Sequence, residues 1–311
     1  ISAERVRDEL LKIIQGPAPH DALRQMLELD LLSVTLPAIE ALRNVQQTAP
    51  HHEPVLAHTL SVLQRLLQVE NSLSEESDPL DEVGISLRET MRPYATSLRE
   101  HLARSINGML DGRAVLRLGA LYHDVGKATT ASVEEDGRIR FLGHDKEGAK
   151  IAARRMREMR LSNDAALHVR TIVEGHMRPL HLTQAFLDQN RVTRRAVYRF
   201  FRDTGDAGLD IVLLSLADHL ATYDGPGPAQ QWHALQAVVR RLFTHFFEQY
   251  NETVSPVPLL KGGELIAALH LKPGPEVGRL LRLIEEAQAV GEVKTKEEAL
   301  AFARERLEIG N

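Results

Sequence analysis

The chain contains no cysteine, and no apolar run in its 311 residues is long enough to span a membrane. Without cysteine there can be no disulfide, no disulfide-linked partner and no thiolate metal ligand. This composition predicts a cytoplasmic protein without membrane association. The formal net charge of -5 excludes a uniformly basic surface for nucleic acid, but it is compatible with local basic patches.

Long alternating strand patterns are also absent, whereas glycine and proline separate segments with helical apolar spacing. We therefore predict an all-α fold, with a helical core, flanking helical segments and one short β-hairpin. The hairpin is expected at residues 131–142, with Asp136-Gly137 as its turn. A long helix is expected at about 85–108. The polar, acidic stretch at 70–83 is typical of a loop.

The spacing of loops and linkers divides the chain into three predicted regions. The proline-containing segment at 255–258 resembles a linker and precedes a small helical tail. Because the chain begins within a helical pattern, we expect the natural protein to have further residues upstream of Ile1. The regions are an N-terminal helical segment at 1–50, a central domain at 51–250 and the tail at 251–311.

The most informative motif is His123-Asp124, which closes the apolar run at 116–122 on a helix predicted at about 113–124. It places an imidazole and a carboxylate, two metal-ligand types, side by side. Other candidate ligands are spread along the chain: His58, His144, His176 and Asp218. His58, His123, His176 and Asp218 lie at core-facing positions of four predicted helices, and facing helices build metal sites in this way.

Each candidate also has an ordinary structural explanation. A lone histidine on an apolar helix face is usually a hydrogen-bonded core residue. Asp218 could face solvent at the end of its helix, but it follows an apolar run at 211–217. A carboxylate on that face is costly to bury without a partner, and a metal ion or a histidine cluster would compensate it. The combination of residues, rather than any single one, predicts the site.

Imidazole and carboxylate ligands suit zinc, nickel, manganese, iron or magnesium, so the metal identity stays open. A bound ion would make hydroxide available near neutral pH and would neutralise charge on a phosphoryl oxygen. Lys127, which follows the His-Asp pair, could hold a non-bridging phosphate oxygen. Alternatively, it is a solvent-exposed cation at a helix C-terminus, which is favourable in itself.

Basic residues follow the candidate ligand His144 along the chain. A stripe at helical spacing runs along the helix predicted at about 145–160, Arg178 follows His176, and a second cluster surrounds Arg195. Such stripes are usually solvated faces, but two clusters beside a phosphate site favour contact with an RNA backbone. The predicted RNA-phosphate contacts are Arg154, Arg157, Arg178 and Arg195.

The order His, His-Asp, His, His, Asp resembles the HD superfamily of metal-dependent phosphohydrolases. The resemblance implies that His58, His123, Asp124 and Asp218 bind a divalent metal ion. His144 and His176 would bind a second ion, contact the substrate phosphate or act as general acids. Asp124, Lys127, His144 and His176 are the implied catalytic residues. The long separation between His58 and His123 leaves His51 or His52 as alternatives to His58.

Other segments are similar to the RNA-binding, HD and tail portion of bacterial tRNA nucleotidyltransferases and poly(A) polymerases. They include residues 2–10, Phe141-Leu142-Gly143-His144 with Gly148-Ala149, and residues 271–278. The resemblance implies an all-helical body that binds tRNA, with an HD domain that hydrolyses 2′,3′-cyclic phosphates, 2′-nucleotides or phosphate monoesters. The family's head, with its glycine-rich turn and paired aspartates, has no counterpart here. Nucleotide addition is therefore not expected from this chain alone.

Three functions are compatible with these patterns. The first is a metal-dependent phosphohydrolase that acts on nucleotides or RNA ends. The second is a non-catalytic tRNA-binding body whose HD site is structural or vestigial, and it predicts tRNA binding that survives metal removal. The third is a small-molecule nucleotidase or cyclic-nucleotide phosphodiesterase that does not act on RNA. The similarity of the terminal segments favours the first two functions.

Overall fold

The computed structural model describes residues 2–74, 81–106 and 108–309, and these residues are almost entirely helical. The all-α prediction is confirmed. The helices are α1 (Ala3–Gln15), α2 (Pro19–Glu28), α3 (Leu32–Thr35), α4 (Pro37–Glu40), α5 (Val55–Ser72), α6 (Glu82–Met91), α7 (Ala95–Ala103), α8 (Gly112–Tyr122), α9 (Lys127–Thr130), α10 (His144–Glu158), α11 (Asn163–Gly175), α12 (Arg178–Gln189), α13 (Arg194–Thr204), α14 (Ala207–Thr222), α15 (Ala229–Glu248), α16 (Gly262–Leu269), α17 (Pro275–Ala289) and α18 (Lys296–Ile309).

The hairpin prediction is also confirmed. Strands β1 (Ala131–Val133) and β2 (Ile139–Phe141) pair antiparallel and form the sheet found in the described part of the chain. Gly137 has a φ of 80°, a conformation that favours glycine, so the Asp136-Gly137 sequence suits the turn. The hairpin ends just before α10, and this connection brings it beside the candidate site.

The described residues form two compact units. One comprises Ile1–Leu187 with Asp206–Arg240, and the other comprises Asp188–Gly205 with Arg241–Asn311. The predicted boundaries at residues 50 and 250 do not coincide with these units, so the three-part division stays a prediction about functional regions. No helix in the described ranges has the length and apolar character needed to cross a membrane.

The first unit is built around α8, whose residues from Ala114 to Tyr122 are all buried. Asp111 begins this helix, because its carboxylate accepts a hydrogen bond from the Ala114 amide at 2.8 Å. Helix α8 packs against α5 and α11, α5 packs against α14, and α10 packs against α11. These five helices carry the candidate ligands.

Two predictions about the segment between α5 and α8 are wrong. The expected helix at 85–108 is divided into α6 and α7 by a 3₁₀ turn at Arg92–Tyr94, because Pro93 has no amide to continue the helical hydrogen bonds. The expected acidic loop at 70–83 is shorter. Helix α5 continues to Ser72, and Asp81 caps α6 by accepting a hydrogen bond from the Gly84 amide. Residues 75–80 of that loop lie outside the described residues.

The second unit has its own small apolar core, formed by residues such as Leu265, Leu280 and Ile284. Two side chains accept hydrogen bonds from main-chain amides at the start of the last helix. The Thr295 hydroxyl accepts a hydrogen bond from the Glu298 amide at 3.2 Å, whereas the Glu298 carboxylate accepts one from the Lys294 amide.

Candidate metal centre

Five helices bring all six candidate ligands together. Helix α5 carries His58 and α14 carries Asp218, whereas His123-Asp124 follows the last residue of α8. His144 begins α10, and His176 follows the last residue of α11. Because these helices pack on one another, their ends converge on one cluster of side chains.

The first group of ligand atoms belongs to His58, His123 and Asp124, which all lie within 4.8 Å of one another. Asp218 joins it, since its Oδ1 lies 3.0 Å from His58 Nε2 and 3.9 Å from His123 Nε2. His123 Nε2 is buried and forms no regular hydrogen bond among the described residues, although Asp124 Oδ2 is 3.2 Å away. A buried nitrogen in this position is suited to a metal ion. Neither His51 nor His52 is part of this group.

The second group consists of Asp124, His144 and His176. Asp124 Oδ1 lies 3.5 Å from His144 Nε2 and 3.7 Å from His176 Nε2, and the two histidine nitrogens are 3.2 Å apart. Asp124 thus presents Oδ2 to the first group and Oδ1 to the second. One carboxylate between two histidine pairs is the arrangement of a bridging ligand, and it is compatible with one or two ions.

The backbone orients three of the histidines. The Nδ1 atoms of His123, His144 and His176 lie 2.7, 2.8 and 2.7 Å from the carbonyl oxygens of the residues three positions earlier. A carbonyl only accepts hydrogen bonds, so each Nδ1 carries the proton and each Nε2 points its lone pair into the cluster. Nitrogen and carboxylate donors in this state fit a divalent metal ion.

The electrostatics of the cluster favour a cation at Asp124 and His176 but not at His123. Burial alone would raise the pKa of Asp124, but His123 and Lys127 outweigh it and hold this pKa well below its usual value. Burial lowers the pKa of His176 to about 4, so its imidazole is neutral near pH 7. Burial would also lower the pKa of His123, but Asp124 outweighs it and raises this pKa. A proton therefore competes with a cation for His123.

Lys127 is buried, which contradicts its alternative explanation as a solvent-exposed cation. Its Nζ lies 2.7 Å from Asp124 Oδ2 and donates a hydrogen bond to Gln47 Oε1 at 2.9 Å. It also lies 5.2 Å from the centre of the Phe141 ring. Lys127 therefore neutralises the shared carboxylate, and its contact with a phosphate stays a prediction.

A cavity of about 670 Å³ opens onto the centre, and Asp124, His144, His176 and Asp218 line it. Among the arginines and lysines in the described part of the chain, Lys127 and Arg140 line this cavity. Sequence analysis missed Arg140, although its place in the hairpin just before His144 was a usable signal. His51 also lines the cavity, with its ring centre 5.0 Å from that of His58. Burial lowers the pKa of His51 to about 4.

The four predicted RNA-phosphate arginines do not line the cavity. Arg154 and Arg157 are exposed on α10, roughly 15–20 Å along the helix axis from His144. Arg195 lies in the second unit, where it forms ion pairs with Glu286 at 3.0 Å and Glu292 at 2.8 Å. Contacts of Arg154, Arg157, Arg178 and Arg195 with RNA therefore stay predictions about a surface beyond the cavity.

Gly126 allows α9 to approach α10 closely. A Cβ at this position would overlap the His144 carbonyl oxygen and lie 2.7 Å from the Gly148 nitrogen. We expect Gly126→Ala to displace His144 and weaken metal binding at the second group by about tenfold or more, in the range seen when metal-orienting contacts are lost. Isothermal titration with Mn²⁺ or Zn²⁺ measures this. The control is Gly263→Ala, where a Cβ meets open space; equal effects in both variants would contradict the prediction.

Comparisons with known protein families match two segments of the chain. The family model "HD domain" matches residues 96–223, which include all the candidate ligands except His58. The chain carries an HD domain. A second model, "Probable RNA and SrmB- binding site of polymerase A", matches residues 1–42 of the same chain. The HD-domain prediction is therefore confirmed.

Curated relatives extend the similarity over nearly the whole chain. The chain is 33% identical over 300 residues to the CC-adding tRNA nucleotidyltransferase of Thermus thermophilus, and this match covers 96% of the chain and 56% of that protein. The chain is also 32% identical over 306 residues to the A-adding tRNA nucleotidyltransferase of Deinococcus radiodurans, and this match covers 97% of the chain and 58% of that protein. The HD-domain chain thus resembles a portion of these enzymes and spans little more than half their length. The predicted resemblance to tRNA nucleotidyltransferases is confirmed.

Proposed function

We propose that this chain is the body of a tRNA nucleotidyltransferase-like protein, in which the HD domain is a metal-dependent phosphohydrolase for nucleotides or RNA ends. The observation that carries the proposal is Asp124, whose two oxygens face two histidine pairs at the lining of one cavity. Nucleotide addition is not proposed for this chain. The cytoplasmic location stays a prediction from composition.

The proposed ligands are His58, His123, Asp124 and Asp218 for one ion, and Asp124, His144 and His176 for a second. The nitrogen-rich donor set favours zinc, nickel, manganese or iron over magnesium, which prefers oxygen ligands. A bound ion would supply a Lewis acid for the phosphoryl group and a nucleophile near neutral pH.

The chain's own residues would bind the phosphate group and hold two of the histidine rings in place. Lys127 and Arg140 line the cavity and would hold the negative charge of the phosphate ester, with Lys127 exchanging its contact with Asp124 for a phosphate oxygen. The main-chain hydrogen bonds at His144 and His176 would keep both rings fixed through the reaction, so that their Nε2 atoms need no reorganisation.

Metal stoichiometry and hydrolysis test this proposal together. We expect elemental analysis of protein purified without chelator to find one or two equivalents of transition metal. If two ions bind, His123→Ala and His176→Ala each remove one of them. Each variant should also hydrolyse 2′,3′-cyclic AMP and 2′-AMP at least about a hundredfold more slowly. His233→Ala, a change at an exposed histidine on α15, is the control. Full metal content and activity in both site variants would refute the proposal.

One observation is compatible with a second candidate, the non-catalytic tRNA-binding body, as well as with the first. The RNA-binding model matches residues 1–42, which lie outside the matched HD segment. This candidate predicts that tRNA binding depends on salt, survives chelation and is accompanied by no hydrolysis of nucleotides. Filter binding of tRNA with and without EDTA, beside the hydrolysis assay, separates the two functions.

A further inference from the structure

The metal centre accounts for only part of the cavity lining. Much of the rest is apolar, and it is contributed by the hairpin region and α12: Ile139, Phe141, Leu142, Met177, Leu180 and Leu187. Leu142 is 76% exposed and Leu180 is 52% exposed, which is unusual for large apolar side chains. A phosphate group makes no use of such a surface. The cavity therefore suits a phosphate ester whose remainder is large, planar or apolar.

An aromatic corner lies directly beside the centre. His219 follows the candidate ligand Asp218 on α14, Tyr223 follows the end of this helix, and both line the cavity. The centres of their rings are 4.9 Å apart, and the His219 ring stacks on Trp232 with ring centres 5.4 Å apart. Planar rings at the edge of a phosphate site are a platform on which a nucleobase can stack.

The corner is held in place before any substrate binds. The Tyr223 hydroxyl donates a hydrogen bond to Gln231 Oε1 at 2.5 Å, and His219 Nε2 lies 2.8 Å from the Pro226 carbonyl oxygen. Gly227, with a φ of 64°, lies so close to Tyr223 that a Cβ there would come within 2.9 Å of three of its atoms. The ring can therefore bind a base without first losing much conformational freedom.

We propose that His219 and Tyr223 form the platform on which the base of the substrate's terminal nucleotide stacks, while Leu142 and Leu180 cover other parts of this base. The inference rests on the proposed function, which already takes nucleotides as substrates, and it assigns the residues that select nucleosidic phosphate esters over small aliphatic ones. Stacking tolerates any base, so the platform selects the class of substrate and not the identity of the base.

The test compares 2′-AMP with glycerol 2-phosphate, which carries a phosphate but no base. We expect the wild-type chain to prefer 2′-AMP in kcat/KM. Tyr223→Leu should lower this preference by about tenfold or more, since base stacking on one aromatic ring has this value. The loss with 2′-AMP should exceed any loss with glycerol 2-phosphate, and Tyr223→Phe should retain most of the preference because it keeps the ring.

A matched pair of variants tests the apolar surface. Leu142→Ser removes an exposed apolar side chain that lines the cavity, whereas Val133→Ser removes one, 71% exposed, on β1 outside the lining. We expect only Leu142→Ser to raise KM for 2′-AMP, by several-fold to about tenfold. The inference would be overturned if the wild-type chain had the same kcat/KM for 2′-AMP and glycerol 2-phosphate. It would also be overturned if Leu142→Ser and Val133→Ser raised KM for 2′-AMP equally.

A binding measurement separates failure of this inference from failure of the proposed function. Trp232 is the only tryptophan of the chain and stacks on His219, so its fluorescence reports on the platform. If AMP but not glycerol 2-phosphate changes this fluorescence, and Tyr223→Leu abolishes the change, the platform stands even when hydrolysis is absent. If AMP binds no better than glycerol 2-phosphate, the platform is refuted whatever the activity.

Discussion

Asp124→Asn is expected to abolish metal binding at both groups and to lower kcat/KM for nucleotide hydrolysis by about a thousandfold or more. The reason is geometric, because one oxygen of Asp124 faces His123 and the other faces His144 and His176. No other candidate ligand is shared between the two groups. Metal content by elemental analysis and hydrolysis of 2′,3′-cyclic AMP measure the two effects.

This substitution also leaves the buried Lys127 without its carboxylate partner, which would cost about 3–5 kcal/mol of stability. The double variant Asp124→Asn, Lys127→Met removes both charges and controls for this effect. We expect it to recover most of the free energy of unfolding, measured by urea denaturation, but neither metal binding nor activity. Recovery of activity in the double variant would show that Asp124 acts through stability and not as a ligand.

Asp210→Asn is expected to lower the free energy of unfolding by about 3–5 kcal/mol, because it breaks a buried ion-pair cluster in the first unit. The Asp210 side chain is 0% exposed, and its Oδ2 lies 2.6 Å from His168 Nε2, 3.1 Å from His101 Nε2 and 3.4 Å from Arg104 Nη2. Asp224→Asn, at an exposed carboxylate that pairs with Arg65, should change stability little.

Asp210 also contributes to the acid stability of the fold. Burial alone would raise its pKa, but His101 and His168 outweigh burial and hold this pKa below its usual value. Its contribution is therefore complete above the unfolded-state pKa of about 3.9 and is lost as the pH falls towards the folded-state pKa. Urea denaturation from pH 7 down to pH 3 should show a shallower loss of stability in Asp210→Asn than in the wild-type chain. Parallel curves would contradict this assignment.

The two aspartates of α14 mark the limit of what sequence could predict about the site. A carboxylate beside an apolar run needs a buried partner, and this argument identified Asp218 but applies equally to Asp210. Their partners come from different helices: Asp218 meets His58 of α5, whereas Asp210 meets His101 of α7 and His168 of α11. Only the packing of the helices distinguishes a candidate ligand from a structural ion pair.

A similar limit applies to the fold. Helix ends at glycine and proline were predictable, but Glu70 was assigned to a loop because the surrounding sequence is polar and acidic. In the structure its carboxylate is buried and accepts hydrogen bonds at 3.0 and 2.7 Å from the Arg117 guanidinium of α8. This bidentate pairing lets a polar segment remain helical inside the unit. Composition alone cannot show that a charge has such a distant partner.

The main-chain anchoring of His123, His144 and His176 affects how the centre can change during evolution. Substitution of a neighbouring side chain cannot delete a carbonyl oxygen, so these three rings keep their direction while the surrounding sequence drifts. His58 differs, because its Nε2 faces the side chain of Asp218, which a single mutation can remove. A single substitution at Asp218 should therefore free the His58 ring, whereas the His144 and His176 rings should keep their direction until one of these histidines is itself replaced.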